Sequence, residues 1–121
     1  MTRRITLPAA ALALSGCGLS GPPPTGHVEG QVIACYTLGS VVEPICETAT
    51  TSVEVTLEGA GPAITTTLDS PVFRFTDVEV GSYTLYAFYT GDRCLIVFDP
   101  QAVTVADNQT ANVVIDGRGR C

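Results

Sequence analysis

Hydrophobic and polar residues alternate along most of the chain after residue 27, and turn residues interrupt the alternation at short intervals. The clearest stretch is 53–58, where three apolar residues alternate with Glu54, Thr56 and Glu58. A period of two predicts a strand with one buried face. Further strands are predicted at 28–36, 64–68, 72–76, 82–89, 94–98, 103–105 and 111–115. The last two are predicted to form a hairpin around Asn108. The pattern predicts an all-β protein with a long segment, 37–51, between its first two strands.

The N-terminal residues follow a different pattern. A short positive stretch ends at Arg4, and the apolar run 5–14 is too short to cross a hydrocarbon core of about 30 Å. This layout is typical of an export signal. The next residues complete a four-position match that resembles the lipobox of bacterial lipoproteins: Leu14, Ser15, Gly16 and Cys17. The resemblance implies cleavage before Cys17 and lipid on its thiol; the alternative is an ordinary cysteine near a signal-peptide end.

Residues 18–26 (GLSGPPPTG) place a proline triplet between glycines. Such a segment favours extended polyproline, and we interpret it as a tether of roughly 25 to 30 Å. The predicted organisation is a signal peptide over 1–16, the lipidated cysteine and tether over 17–26, and one domain over 27–121. Gly18 after the lipidated cysteine implies sorting to the outer membrane, if the cell has two membranes. The export pathway, Sec or twin-arginine, stays open.

Four segments of the domain resemble the carboxypeptidase regulatory-like domain, a relative of transthyretin and of the collagen-adhesin B-type repeats. They are Gly30–Val32, Val53–Leu57, Phe73–Val78 and Gly81–Leu85. The resemblance covers about residues 28 to 116 and implies a seven-stranded antiparallel Greek-key sandwich, transthyretin-like in topology. Gly81 would permit a turn with positive φ before the fifth strand. Four side chains would fill the space between the sheets: Phe73, Phe75, Tyr83 and Leu85.

The chain has five cysteines. Assigning Cys17 to lipid leaves an even number in an oxidising compartment, which admits three disulfide pairings. A four-thiolate zinc site is the alternative, but no two cysteines have the C-x-x-C spacing of such sites. We therefore predict disulfides and no metal.

The register of the last hairpin favours one of the three pairings. If Val105 opposes Thr110 across the turn, opposed positions sum to about 215, and Cys94 falls opposite Cys121. The favoured set is then Cys94–Cys121 with Cys35–Cys46.

Charge narrows the range of partners. The formal net charge is −6, and removal of Arg3 and Arg4 with the signal leaves 4 basic against 12 acidic residues, a net charge of −8. This balance argues against nucleic acid as a partner. It also argues against a basic patch for anionic lipid, so membrane attachment is predicted to depend on the lipid of Cys17, where two or three acyl chains hold a protein stably.

Residues suited to catalysis are few. His27 is the single histidine, and we expect it to be a solvated linker residue rather than the base of a catalytic arrangement. Asp92, Asp99 and Asp107 would bind calcium only if their loops converge, and solvated loop acids are the default. The chain has no lysine, so the Lys–Asn isopeptide bond of collagen-adhesin repeats is chemically excluded. We predict no enzyme and no cofactor.

One surface has the character of a binding site. If Leu85 points into the core, Tyr86 and Phe88 point outward as two adjacent aromatics, suited to stacking on a sugar or anchoring a protein. The alternative is that segment 37–51 folds over them.

We expect a membrane-anchored, non-catalytic envelope lipoprotein whose sandwich contacts another envelope protein or gives structural support. A module for glycans or small ligands, using Tyr86 and Phe88, is the alternative. A transthyretin-like hydrolase ranks third, because the characteristic histidine and arginine-rich sites have no counterpart.

Overall fold

The segments of alternating apolar and polar residues, with one further exposed segment, form nine strands. The computed structural model describes residues 22–40 and 42–121. The strands are β1 (Thr25–Thr37), β2 (Ile45–Thr48), β3 (Val53–Glu58), β4 (Ile64–Thr67), β5 (Phe73–Glu79), β6 (Gly81–Tyr89), β7 (Leu95–Phe98), β8 (Gln101–Val105) and β9 (Thr110–Arg120). Across these ranges no helix has the length and apolar character needed to cross a membrane.

The strands form two sheets. In the five-stranded sheet, β1 pairs in parallel with β9 on one side, and β7 lies beyond β9 as an edge strand. On its other side β1 pairs with both β2 and β5, because its 13 residues are long enough for two short partners in line. The second sheet has the order β4-β3-β6-β8.

The predicted all-β sandwich is confirmed, although its topology differs in detail from the one that the resemblance implied. The described residues contain nine strands instead of seven, and β1 and β9 run parallel instead of antiparallel. The additional β2 lies within segment 37–51, for which the pattern predicted no strand. Its four residues are mostly exposed, so their sequence carries no alternation of buried and solvent positions.

The core lies between the two sheets and takes alternate residues from each strand. In β3 the apolar positions Val53, Val55 and Leu57 are buried while Glu54 and Glu58 are exposed, as the period of two predicts. From β5, the rings of Phe73 and Phe75 enter the core and meet edge to face, with centroids 5.9 Å apart. Such aromatic pairs add stabilisation beyond the area they bury.

The predicted last hairpin is wrong. Val105 pairs with Gly81 in the four-stranded sheet, whereas Thr110 pairs with His27 in the other sheet. The turn at Asn108, which has a left-handed φ of 57°, therefore carries the chain from one sheet to the other. The crossing lets β8 and β9 bury their apolar faces against each other from opposite sides of the core, which a flat hairpin does not allow.

Candidate functional site

Both disulfides of the structure lie at the end of the sandwich remote from Thr25. They join Cys35 to Cys46 and Cys94 to Cys121, with Cα atoms 4.0 and 3.9 Å apart. Cys35 and Cys46 are directly opposed in the β1–β2 ladder. The β7–β9 ladder has the register sum of 215 that was expected of the last hairpin. Cys94 is thus bonded to Cys121 as predicted, but through the register of β7 with β9 and not through that of a hairpin between β8 and β9.

Cys17, the predicted lipidation site, lies outside the described residues, as does the signal peptide. The structure describes the tether only from Pro22, and β1 already begins at Thr25. The chain before Thr25 therefore joins the sandwich at one end of its longest strand.

His27 is not the solvated linker residue that we expected. It is half-buried within β1, opposite Thr110 of β9. Its Nδ1 accepts a hydrogen bond from the backbone N–H of Asp77 at 3.3 Å. The expectation was wrong because the strand begins before His27, which brings the ring against the end of β5.

The acidic residues considered for calcium do not form a site. Asp99 forms an ion pair with Arg118 at 3.2 Å, and Asp107 lies in the turn that leads to β9. Within residues 22–40 and 42–121, no cluster of three or more histidine, cysteine or acidic side chains is placed to hold a metal ion.

The outer face of the four-stranded sheet carries the two aromatics that the pattern singled out. Leu85 is fully buried, while Tyr86 and Phe88 are 42% and 69% exposed on β6. Opposite them on β3 lie Thr56 and Glu54. We call this surface the aromatic face; its other side chains include Glu54, Thr56 and Thr65.

Segment 37–51 does not fold over the aromatic face. Its strand β2 pairs with β1 in the five-stranded sheet, whereas Tyr86 and Phe88 lie on the outer side of the other sheet. The cysteine pair is the physical reason, since Cys46 is bonded to Cys35 and holds β2 in line with β1. The aromatic face is therefore open to solvent among the described residues.

A concave surface, the end cleft, was not found from the sequence. It has a volume of about 460 Å³ and opens between the two sheets at the end remote from Thr25. Its apolar wall includes Ile96 and Phe98 of β7 and Tyr89 of β6, and its polar rim includes Arg93 and Glu47. Five separate segments meet at the cleft, so no local pattern could have shown it; the only signal was the cluster of cysteines and aromatics near the strand ends.

Tyr36 lies at the rim of the end cleft, and its pKa is raised above the ordinary value of 10.0. Partial burial is the main cause, and the nearby carboxylate of Glu47 adds to it. The phenol is therefore neutral and can donate a hydrogen bond. Together with the apolar walls, this rim has the character of a binding surface.

Comparison with known proteins is limited to the fold. No protein-family model matches the chain, and a search of curated proteins finds no similar sequence. Among solved structures, a minor pilin of the Gram-positive pathogen Streptococcus agalactiae is similar, with a TM-score of 0.54 and 17% sequence identity. The match is a shared β-sandwich. It covers 79% of this chain and 45% of the pilin chain, so this chain spans less than half of that chain's length.

Proposed function

We propose that the protein is a non-catalytic lipoprotein of the cell envelope whose β-sandwich makes protein contacts or gives structural support. The main structural observation in its favour is the position of the end cleft relative to the tether. Ala34 and Tyr36 of β1 line the cleft, so it lies roughly 30 to 36 Å from Thr25. A chain held at Thr25 would therefore present a concave apolar surface well away from its point of attachment.

The envelope location is supported by the disulfides. Cys35–Cys46 and Cys94–Cys121 are stable in an oxidising compartment such as the periplasm or the cell exterior. Leu14–Cys17 supplies the matching export and lipidation signal. The solved structure with a similar fold is described as a minor pilin. We also propose the closer kinship with carboxypeptidase regulatory-like domains, supported by buried Phe73 and Phe75 at their expected positions.

The anchor is tested by labelling intact cells with an alkyne fatty acid and separating membranes from soluble proteins. We expect wild-type protein to carry the label and to sediment with membranes, and Cys17→Ala to lose both properties. Ser20→Ala in the tether is the matched control and should behave as wild type. A Cys17→Ala variant that still carries the label and sediments with membranes would contradict lipid anchoring through Cys17.

The protein contact is tested by a photo-crosslinking amino acid in intact cells, because the chain has no lysine for amine-reactive reagents. Positions 38, at the rim of the end cleft, and 58, on the outer side of the four-stranded sheet, are both exposed. We expect a discrete adduct from position 38 that is absent from position 58 and reduced in Cys17→Ala. Equal adducts at both positions would contradict a specific contact at the cleft.

The aromatic face supports a second candidate, the binding of a glycan or a small polar ligand. The favouring observation is that Tyr86 and Phe88 are exposed side by side and uncovered by segment 37–51. A glycan array probed with the purified protein should give a signal that Tyr86→Ala with Phe88→Ala abolishes and that Val114→Ala, an exposed apolar control on the other sheet, leaves unchanged. A signal unaffected by the double substitution would exclude this surface.

A further inference from the structure

The edge strand β7 has the most apolar outer face of any edge in the described sheets. Leu95 and Val97 point away from the core and are 70% and 71% exposed. The other edge strands carry mainly threonines, charged residues or a disulfide on their outer faces. Exposed apolar edges are normally avoided, because they act as templates for pairing with another strand.

The backbone of β7 is also available for pairing. Asp99 donates its backbone N–H to the carbonyl of Asp116 at 3.0 Å, in line with the β7–β9 ladder. Hydrogen-bonding groups alternate between the two sides of a strand. Leu95 and Val97 therefore bond to β9, and the N–H and C=O groups of Ile96 and Phe98 point toward the free side.

A symmetric antiparallel pairing of two β7 strands is chemically complementary in one register. With Ile96 opposite Ile96 of a second copy, Leu95 lies opposite Val97, and both pairs lie on the outer face. Arg93, in the bend that precedes β7, comes near Asp99 of the second copy, so a cation meets an anion at each end of the contact. The outward backbone groups of Ile96 then bond directly to those of the second copy.

The neighbouring registers lack this complementarity. Centring the pair on Val97 places Leu95 against the carboxylate of Asp99 and brings in Pro100, which has no N–H. Centring it on Leu95 places Val97 against the guanidinium of Arg93. A shift by a single residue instead turns the apolar face of one copy to the opposite side of the sheet.

The local charge also favours contact between two copies at this edge. Residues 22–121 contain 12 acidic and 4 basic side chains, so most surfaces of two identical copies repel each other. Three of the four arginines lie around β7, next to three aspartates: Arg93, Arg118, Arg120, Asp92, Asp99 and Asp116. This edge is locally neutral in an otherwise acidic protein.

We propose that the protein self-associates through β7, forming a two-fold dimer whose five-stranded sheets join into one continuous sheet centred on Ile96. Asp99 then lies between Arg118 of its own chain and Arg93 of the second copy. The two copies run in opposite directions, so their Thr25 residues lie at opposite ends of the dimer. The pairing does not depend on the anchor, and a membrane-bound dimer would lie with its strands along the surface or bridge two surfaces.

The proposal is tested on the purified intact protein in detergent, by light scattering and sedimentation over a range of concentrations. We expect a monomer–dimer equilibrium. Leu95→Lys should raise the dissociation constant at least about tenfold, a loss of about 1.4 kcal/mol, because lysine at an edge disfavours pairing. Val114→Lys, on the same outer face but on β9, should leave the constant unchanged. Thermal unfolding of each variant verifies the fold.

A charge exchange tests the register. Arg93→Asp alone should weaken the dimer, because it sets a carboxylate near Asp99 of the second copy. Arg93→Asp with Asp99→Arg should restore part of the affinity; the restoration is partial because position 99 also faces Arg118 of its own chain. Three results would overturn the proposal: an intact protein that is monomeric at every concentration, a dimer insensitive to Leu95→Lys, or a double variant no stronger than Arg93→Asp alone.

Discussion

Glycine is required at one position of β9 because a side chain from the neighbouring strand lies directly over it. Gly117 is opposite Phe98, and the phenylalanine ring occupies the space where a Cβ atom of residue 117 would lie. Cross-strand packing of this kind makes the glycine part of the core, although it has no side chain of its own. The cost of filling that space is therefore a steric cost.

We predict that Gly117→Ala lowers the free energy of unfolding by about 1 to 3 kcal/mol, since the ring of Phe98 has to move. Urea unfolding followed by circular dichroism measures the change. Gly61→Ala is the control, because nothing lies within 4 Å of its Cβ position, and it should leave stability unchanged or slightly higher. Equal losses in both variants would contradict the packing argument.

The titration of Tyr36 depends on its place at the end cleft. Because burial and the carboxylate of Glu47 raise its pKa, the folded protein favours the neutral phenol. The raised pKa therefore adds stability that is fully present below the ordinary pKa of 10.0 and is lost as pH rises through the folded-state pKa.

We predict that Glu47→Gln lowers the pKa of Tyr36 without returning it fully to the ordinary value, because burial is the larger cause. A ¹³C NMR titration of the tyrosine ring carbons follows Tyr36 directly, with Tyr36→Phe giving the assignment. Glu58→Gln, outside the cleft, should have no effect on this titration. A pKa of Tyr36 that does not respond to Glu47→Gln would show that the carboxylate contributes nothing.

Among the elements, β2 depends most on a covalent bond. It has four residues, mostly exposed, and pairs with β1 alone. A strand with so little buried surface has little packing energy of its own. The Cys35–Cys46 disulfide, within the ladder itself, compensates for this and keeps segment 37–51 away from the aromatic face.

We predict that Cys35→Ser with Cys46→Ser lowers the free energy of unfolding by about 3 kcal/mol, from the loop-closure entropy of an 11-residue separation. Cys94→Ser with Cys121→Ser, with a separation of 27, should cost about 3.5 kcal/mol. Urea unfolding measures both losses. Hydrogen exchange in β2 should accelerate in the first variant only; acceleration in both would show that β2 is not held by its own disulfide.

At the scale of the whole molecule, the two terminal strands of the sandwich hold the fold together. β1 and β9 pair in parallel over eleven positions, from His27–Thr110 to Thr37–Arg120. Val32 and Ile115 lie opposite each other at the centre of this pairing, and both are fully buried. The pairing joins distant parts of the chain, so it is expected to form slowly.

We predict that the backbone amides of Val32 and Ile115 exchange with solvent only through global unfolding, since opening either strand divides the core. Native-state hydrogen exchange at low denaturant measures this, with the free energy from urea unfolding as the reference. The amides of β2 should exchange at lower cost through local opening. If the amide of Ile115 exchanged with a free energy of opening well below the free energy of global unfolding, β9 would detach independently.

Local alternation was sufficient to predict much of the fold. The period of two in β3 and β6 correctly assigned Leu57 and Leu85 to the core and Tyr86 and Phe88 to solvent. It succeeded there because each residue's face depends only on its neighbours in the same strand. It failed for β2, whose exposed residues have no such pattern, and for His27, which looked like part of a linker because strand pairing, and not hydrophobicity, sets the start of β1.

The amino-acid sequence alone determined the all-β class, the faces of most strands and the two exposed aromatics, because alternation and turn residues are local properties. The tertiary structure alone decided which strands pair. It moved β8 and β9 into different sheets, joined β1 to β9, formed the end cleft and left β7 as a free apolar edge. These features follow from burying both apolar faces of a sandwich at once, which depends on residues far apart in the chain.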